Sequence, residues 1–128
     1  MSTGIGDGTI KHSRATLDID NGSGGHTVQF LLSDDDLSWT QLGTDQNAGA
    51  FTTSIRDQAS LVRVGGVGNS SFAAGKFYYA EIRNGIDGPV VAVFNPSPGD
   101  KDKTSITAST GEVWTLSQTG GTPAMFAY

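Results

Sequence analysis

Between Gly75 and Pro96, in GKFYYAEIRNGIDGPVVAVFNP, an aromatic alternating segment, a glycine-bearing turn and a second apolar segment follow one another without slack. Extended chain repeats every two residues, so Tyr78, Ala80 and Ile82 fall on one face of a strand and Tyr79, Glu81 and Arg83 on the other. The connection Asn84-Gly85-Ile86-Asp87-Gly88 is made of turn formers, with Asn84 and both glycines able to take positive φ at low cost. Val90, Val91, Val93 and Phe94 resume with β-branched and aromatic residues, and Pro89 can open that strand where a missing N–H does least harm. The segment predicts a β-hairpin and places the chain in the all-β class.

The rest of the chain follows the same pattern. Ala15, Leu17 and Ile19 alternate with polar residues, and after the turn Asp20–Gly25 the alternation resumes at Val28, Phe30 and Leu32, which predicts a hairpin with one buried face. A turn at Asp34–Asp36 leads into Ser38–Leu42, where Trp39 and Gln41 point one way and Thr40 and Leu42 the other. Thr44–Gly49 reads as a loop, followed by short strands near Phe51–Ile55 and Leu61–Val64, the latter ended by Gly65, Gly66 and Gly68. Ser97–Lys103 is a charged loop, and Ser105–Ala108, Val113–Ser117 and Ala124–Tyr128 read as three more strands. No segment carries helical periodicity free of glycine, so almost no helix is expected. A strand about every ten residues is the rhythm of an antiparallel β-sandwich or jelly roll. The expected organisation is one sandwich domain of about ten short strands over 14–128, preceded by a glycine-rich arm, residues 1–13, that is flexible or docked.

Composition narrows the function classes. Eighteen glycines with only four prolines point to many turns rather than disorder, and the charged fraction is low at 16%. The net charge is −5 and no window gathers enough Lys or Arg to follow a phosphate backbone, so nucleic acid is not an expected partner. The absence of cysteine excludes disulfides and thiolate metal sites and favours a bacterial or viral origin. Neither a signal-peptide core nor a run of about 18 apolar residues is present, so no membrane association is expected.

Candidates for chemistry are few. The two histidines, His12 and His26, stand in no nucleophile motif. Glu81 is the one acid that a glycosidase reading could use, against the simpler reading that it pairs with Arg83 or Lys76. Asp18-x-Asp20-x-Gly22 begins like a calcium loop, but Gln29 stands at the twelfth position and both aspartates are polar positions of an alternating strand. Ser33-x-Asp35 followed by Trp39 begins like an Asp-box hairpin but fails the match, with Leu37 at the glycine position and Trp39 one residue early, and Asp34–Asp36 reads as a solvated tip. Asn21-Gly22-Ser23 and Asn69-Ser70-Ser71 fit a glycosylation sequon that is idle in a prokaryotic setting. Neither a metal nor a cofactor is expected. Trp39, Tyr79 and Trp114 form the candidate glycan-binding set, because aromatic faces stack on pyranose rings; core packing or a protein interface suits each of them as well.

Gly75–Pro96, together with Arg14–Gly43 (RATLDIDNGSGGHTVQFLLSDDDLSWTQLG) and the closing GEVWTLSQTGG of Gly111–Gly121, resembles the later strands of laminin-G-like, concanavalin-type jelly rolls in head and tail proteins of bacteriophages. Domains of that family open with several further strands, so the resemblance implies either a reduced sandwich or one completed by another chain. It implies a non-enzymatic virion structural protein, a head decoration or tail accessory, assembled in the bacterial cytoplasm. Its partners would be major capsid or tail proteins. A homo-oligomer is expected, a trimer among the candidates, with the arm or Thr122–Tyr128 touching a neighbouring subunit. The alternative is a carbohydrate-binding adhesin module that recognises host cell-wall glycans.

Overall fold

The computed structural model describes residues 6, 8–47, 51–55, 61–67, 71–72 and 75–116. Among them the chain forms ten strands and no α-helix: β1 (His12–Asp18), β2 (Thr27–Ser33), β3 (Thr40–Gln41), β4 (Gln46–Asn47), β5 (Gly66–Val67), β6 (Ser71–Phe72), β7 (Ala80–Arg83), β8 (Val90–Phe94), β9 (Ser105–Thr107) and β10 (Val113–Thr115), with a single 3-10 turn at Pro98–Asp100. Every pairing is antiparallel, so the all-β class holds. The chain folds as two units, Met1–Gln58 and Ala59–Tyr128.

In the first unit β1 and β2 pair along their whole length, with Ala15 opposite Phe30 and Leu17 opposite Val28. Because side chains alternate, this register puts Ala15, Leu17, Val28, Phe30 and Leu32 on one face and Arg14, Thr16, Gln29 and Leu31 on the other. Pairing begins at His12 opposite Ser33, within the segment read as an arm. The hairpin expected to bury its apolar face leaves that face half exposed: Phe30 is 43% and Ile19 47% accessible. Among the described residues this unit has one sheet layer, and a single layer cannot cover its own apolar side.

The free edge of β2 receives β3, within the Ser38–Leu42 stretch read as extended, and then β4, inside Thr44–Gly49, expected to be a loop. Leu31 faces Gln41 and Thr27 faces Asn47, so four steps along β2 are matched by six along the facing segment. Two extra residues are therefore accommodated around Gly43, whose φ of 79° is left-handed. Phe51–Ile55 is irregular rather than a strand, with Thr53 N–H donating to the Ile19 carbonyl at 3.0 Å. Leu61–Arg63 is irregular too; the glycine expected to end a strand, Gly66, begins β5. Side-chain alternation gives these segments strand character, but a strand forms only where a partner edge accepts its ladder.

The second unit holds the hairpins β5–β6, β7–β8 and β9–β10. Phe94 and Ile106 are buried, with Ala80, Trp114 and Leu116 packed against them. Phe94 and Trp114 meet edge to face, centroids 5.7 Å apart at 64°. In the β7–β8 turn, Gly85 and Asp87 take left-handed φ of 87° and 60°, a role expected of Asn84 and both glycines. Gly88 is needed for space instead, since a Cβ there would sit 1.9 Å from the Asn84 carbonyl oxygen. Ala124–Tyr128, read as a final strand, and Thr122–Tyr128, read as a subunit contact, lie outside the described residues.

Candidate functional site

The polar face of the first sheet carries the most organised group of side chains. Register aligns Arg14, Leu31 and Gln41 across three strands, and Trp39 lies beside them with the Arg14 guanidinium carbon 5.9 Å from its ring centroid, a cation–π distance. One strand step away, Asp45 Oδ1 accepts hydrogen bonds from Gln29 Nε2 at 2.9 Å and Gln41 Nε2 at 2.6 Å. These two amides, Gln29 first, hold the Asp45 carboxyl below the usual carboxylate range. In a straight strand residues four apart are roughly 13 Å apart. The two-residue insertion after Gln41 is what brings Gln41 and Asp45 together, and Gln46 Nε2 braces it by donating to the Thr44 carbonyl at 2.9 Å. Further along this face Asn21 Nδ2 donates to Thr27 Oγ1, which donates to Asn47 Oδ1, at 3.1 and 3.0 Å.

The carboxylates considered for cation binding hold turns. Asp18 and Asp20 accept from the N–H groups of Asp20 and Gly22, and Asn21 Oδ1 from those of Ser23 and Gly25. At the next tip Asp35 Oδ1 accepts from Ser38 N, Leu37 N and Ser33 Oγ at 2.7, 2.9 and 3.0 Å, which lowers its pKa to about 2. Asp34 is paired with Lys11, and His12 Nδ1 lies 3.8 Å from Asp36. His26 is buried; its Nδ1 donates to the Phe51 carbonyl at 3.1 Å, and the two rings pack 5.4 Å apart.

In the second unit Glu81 is bridged by two neighbours on its own strand face, with Tyr79 Oη donating to Oε2 and Arg83 Nε to Oε1, both at 2.5 Å. The pairing with Arg83 is the simpler of the two readings the sequence offers. Tyr79 is 49% accessible, but its hydroxyl is thus engaged. Trp114 belongs to the core around Phe94. Its Nε1 donates at 3.1 Å to Glu112 Oε1, which also accepts from Val93 N at 2.6 Å and Thr110 Oγ1 at 2.8 Å. Thr110 and these backbone and indole donors lower the Glu112 pKa to about 2. Glu112 thereby ties β8 to the β9–β10 hairpin. A cleft of about 160 Å³ lies between Val93, Asn95, Asp100 and Ile106–Ser109; Asp100 there is engaged with Ser97 and Lys103.

The three aromatic residues predicted as a glycan set therefore have different settings: Trp39 on an ordered polar sheet face, Tyr79 in an exposed ladder with Glu81, Trp114 in a core. Sequence reading missed Gln29, Gln41, Asp45 and Glu112. Gln41 was placed on the Trp39 side by its parity, but nothing local signals the insertion that adds Asp45. No protein-family model, curated protein or solved structure matches this chain.

Proposed function

We propose that this chain is a non-enzymatic structural protein of a bacteriophage particle, a head decoration or tail accessory of jelly-roll type that acts by assembling with other protein subunits. The observation that carries the reading is the balance of apolar surface. Among the described residues two large apolar side chains are buried, Phe94 and Ile106, while sixteen are exposed, including Phe30, Ile55, Leu61 and Val62. Monomers that leave so much apolar area in water associate, and protein partners are the usual cover. The low charge, the absence of cysteine and the resemblance of Arg14–Gly43 and Gly75–Pro96 to phage jelly rolls support the same reading. It also suits the carboxylates Asp35, Asp100 and Glu112, each of which fastens a turn or joins two hairpins. The partners would be capsid or tail proteins and further copies of this chain, a trimer among the candidates.

Quantitative mass spectrometry of purified particles, scaled to the major capsid protein, tests it. Hundreds of copies per particle place the chain on the head, a handful place it on the tail, and its absence from particles overturns the proposal. Native mass spectrometry of the purified chain should show oligomers; a stable monomer at high concentration would count against self-association.

A further inference from the structure

We infer that Asn84-Gly85, at the tip of the β7–β8 hairpin, is a site of spontaneous covalent modification, a succinimide closure that converts Asn84 to aspartate and isoaspartate, and that the other Asn-Gly pair, Asn21-Gly22, is protected from the same reaction by its hydrogen bonds. The inference goes beyond the assembly reading and does not depend on it.

Residue type sets the reaction. The backbone nitrogen of the residue after the asparagine loses its proton to hydroxide and attacks Cγ; a new N–C bond forms, the Cγ–Nδ2 bond breaks, and the amide nitrogen leaves as ammonia. Water then opens the cyclic imide at one carbonyl or the other, giving aspartate or, where the chain is rerouted through Cγ, isoaspartate. Hydroxide and water are the only co-reactants. A following glycine favours closure, because no side chain crowds its nitrogen and its backbone turns freely. Of the five asparagines, Asn21 and Asn84 precede glycine, whereas Asn95 precedes Pro96, whose nitrogen has no proton to lose.

Structure separates the two pairs. Asn21 is half-buried; its Oδ1 accepts from Ser23 N at 3.0 Å and Gly25 N at 3.3 Å, and its Nδ2 donates to Thr27 Oγ1 at 3.1 Å. The attacking nitrogen is held as well, since Gly22 N–H donates to Asp20 Oδ1 at 3.1 Å. Closure at Asn21 has to break these bonds first. At the other tip, Asn84 N–H donates to the Pro89 carbonyl at 2.9 Å, Gly88 N–H to the Gly85 carbonyl at 3.2 Å and Arg83 Nη1 to the Gly88 carbonyl at 3.1 Å. None of these bonds uses the Asn84 side chain or the Gly85 N–H, and among the described residues no other hydrogen bond holds either group. Both residues are exposed to water and hydroxide. The products alter the tip. Either one adds a negative charge next to Arg83, which braces the turn through Gly88 and pairs with Glu81. In isoaspartate the former Asn84 carbonyl becomes the free carboxylate, at a point where a Cβ on Gly88 would already lie 1.9 Å from its oxygen, so the turn has to rearrange.

The test is peptide mapping by mass spectrometry of the full-length chain after incubation at mildly alkaline pH, folded and in concentrated urea, with the aspartate and isoaspartate peptides separated by chromatography. In the folded chain Asn84 should convert about tenfold faster than Asn21 or more, the ratio that one to two net hydrogen bonds correspond to. Both products should appear, and the rate should rise in proportion to hydroxide. In urea the Asn21 rate should approach that of Asn84, because the fold and not the local sequence supplies the protection. Asp20→Ala, which releases Gly22 N–H, should speed conversion at Asn21 and leave Asn84 unchanged; if that variant fails to fold, the urea comparison decides. Equal rates at the two sites in the folded chain, an Asn84 that converts in urea but not when folded, a rate ratio that persists in urea, or a folded Asp20→Ala variant that protects Asn21 as fully as the parent would overturn the proposal.

Discussion

The two units hold their strands by different means. In the second, Phe94 and Ile106 bury one another with Trp114, Ala80 and Leu116, and a single carboxylate, Glu112, fastens two hairpins together. In the first, none of the described apolar side chains is buried; pairing of β1 with β2 is long and in full register, and its ends are tied by Asn21 and Asp35 through bonds to backbone N–H groups. The contrast separates register from stability. Alternation and turn chemistry suffice to align a hairpin, whereas most of the free energy of a small fold comes from apolar area removed from water. The first sheet fixes its geometry while, among the described residues, its apolar side stays half exposed.

Substitutions can break or sharpen that contrast. The largest effect is expected from Phe94→Ala, which removes the centre of the second unit's core and should cost about 3–5 kcal/mol in denaturant unfolding. Hydrogen exchange should then quicken more over residues 80–116 than over 12–47; equal loss in both would mean that the units do not differ as described. Gly88→Ala comes next, at roughly 1–3 kcal/mol, because the backbone of the turn must shift to admit a Cβ beside Asn84.

Acid probes the two units in parallel. Asp35 and Glu112 each have a folded pKa lowered to about 2, below the ordinary values of 3.8 and 4.5. Each contribution is therefore complete above the unfolded value and is lost as pH falls from about 4.5 towards about 2. Asp35→Asn should flatten the acid sensitivity of exchange in the first unit alone, and Glu112→Gln that of the second, since an amide oxygen still accepts the N–H bonds but does not titrate in this range. A change in both units from either variant would contradict the assignment. Smallest is Phe30→Ser, expected to alter the stability of the isolated chain by less than about 1 kcal/mol, because Phe30 is already 43% exposed. The same change should weaken association measured by native mass spectrometry, if this face is the one that partners cover.

Legibility in the sequence followed the range of the interactions. The β7–β8 and β1–β2 hairpins could be read because alternation, β-branched residues and Asn/Gly turns lie within about 20 residues of one another and agree. Within the same hairpin the individual turn roles were not legible: Asp87 rather than Asn84 takes the left-handed position, and Gly88 is required by a carbonyl that only the folded turn brings near. Phe51–Ile55 and Leu61–Val64 looked like strands, yet residues 51–55 and 61–64 lie outside the ladders, while Gln46–Asn47 found an edge on β2. Of the candidate site, Trp39 was legible from residue type alone. Asp45 was not, because its role rests on an insertion in register against a strand some 16 residues earlier.

What the residues determined by themselves is the all-β class, the parity of each long strand and hence the division of the first hairpin into an apolar and a polar face. Those follow from backbone geometry and side-chain alternation, which are local. Tertiary structure decided which faces were covered, which carboxylates became fasteners and which polar groups converged. Burial, the hydrogen bond from Val93 N–H to Glu112 and the clustering of Gln29, Gln41 and Asp45 depend on neighbours brought in by the fold, and no local propensity encodes where those neighbours arrive.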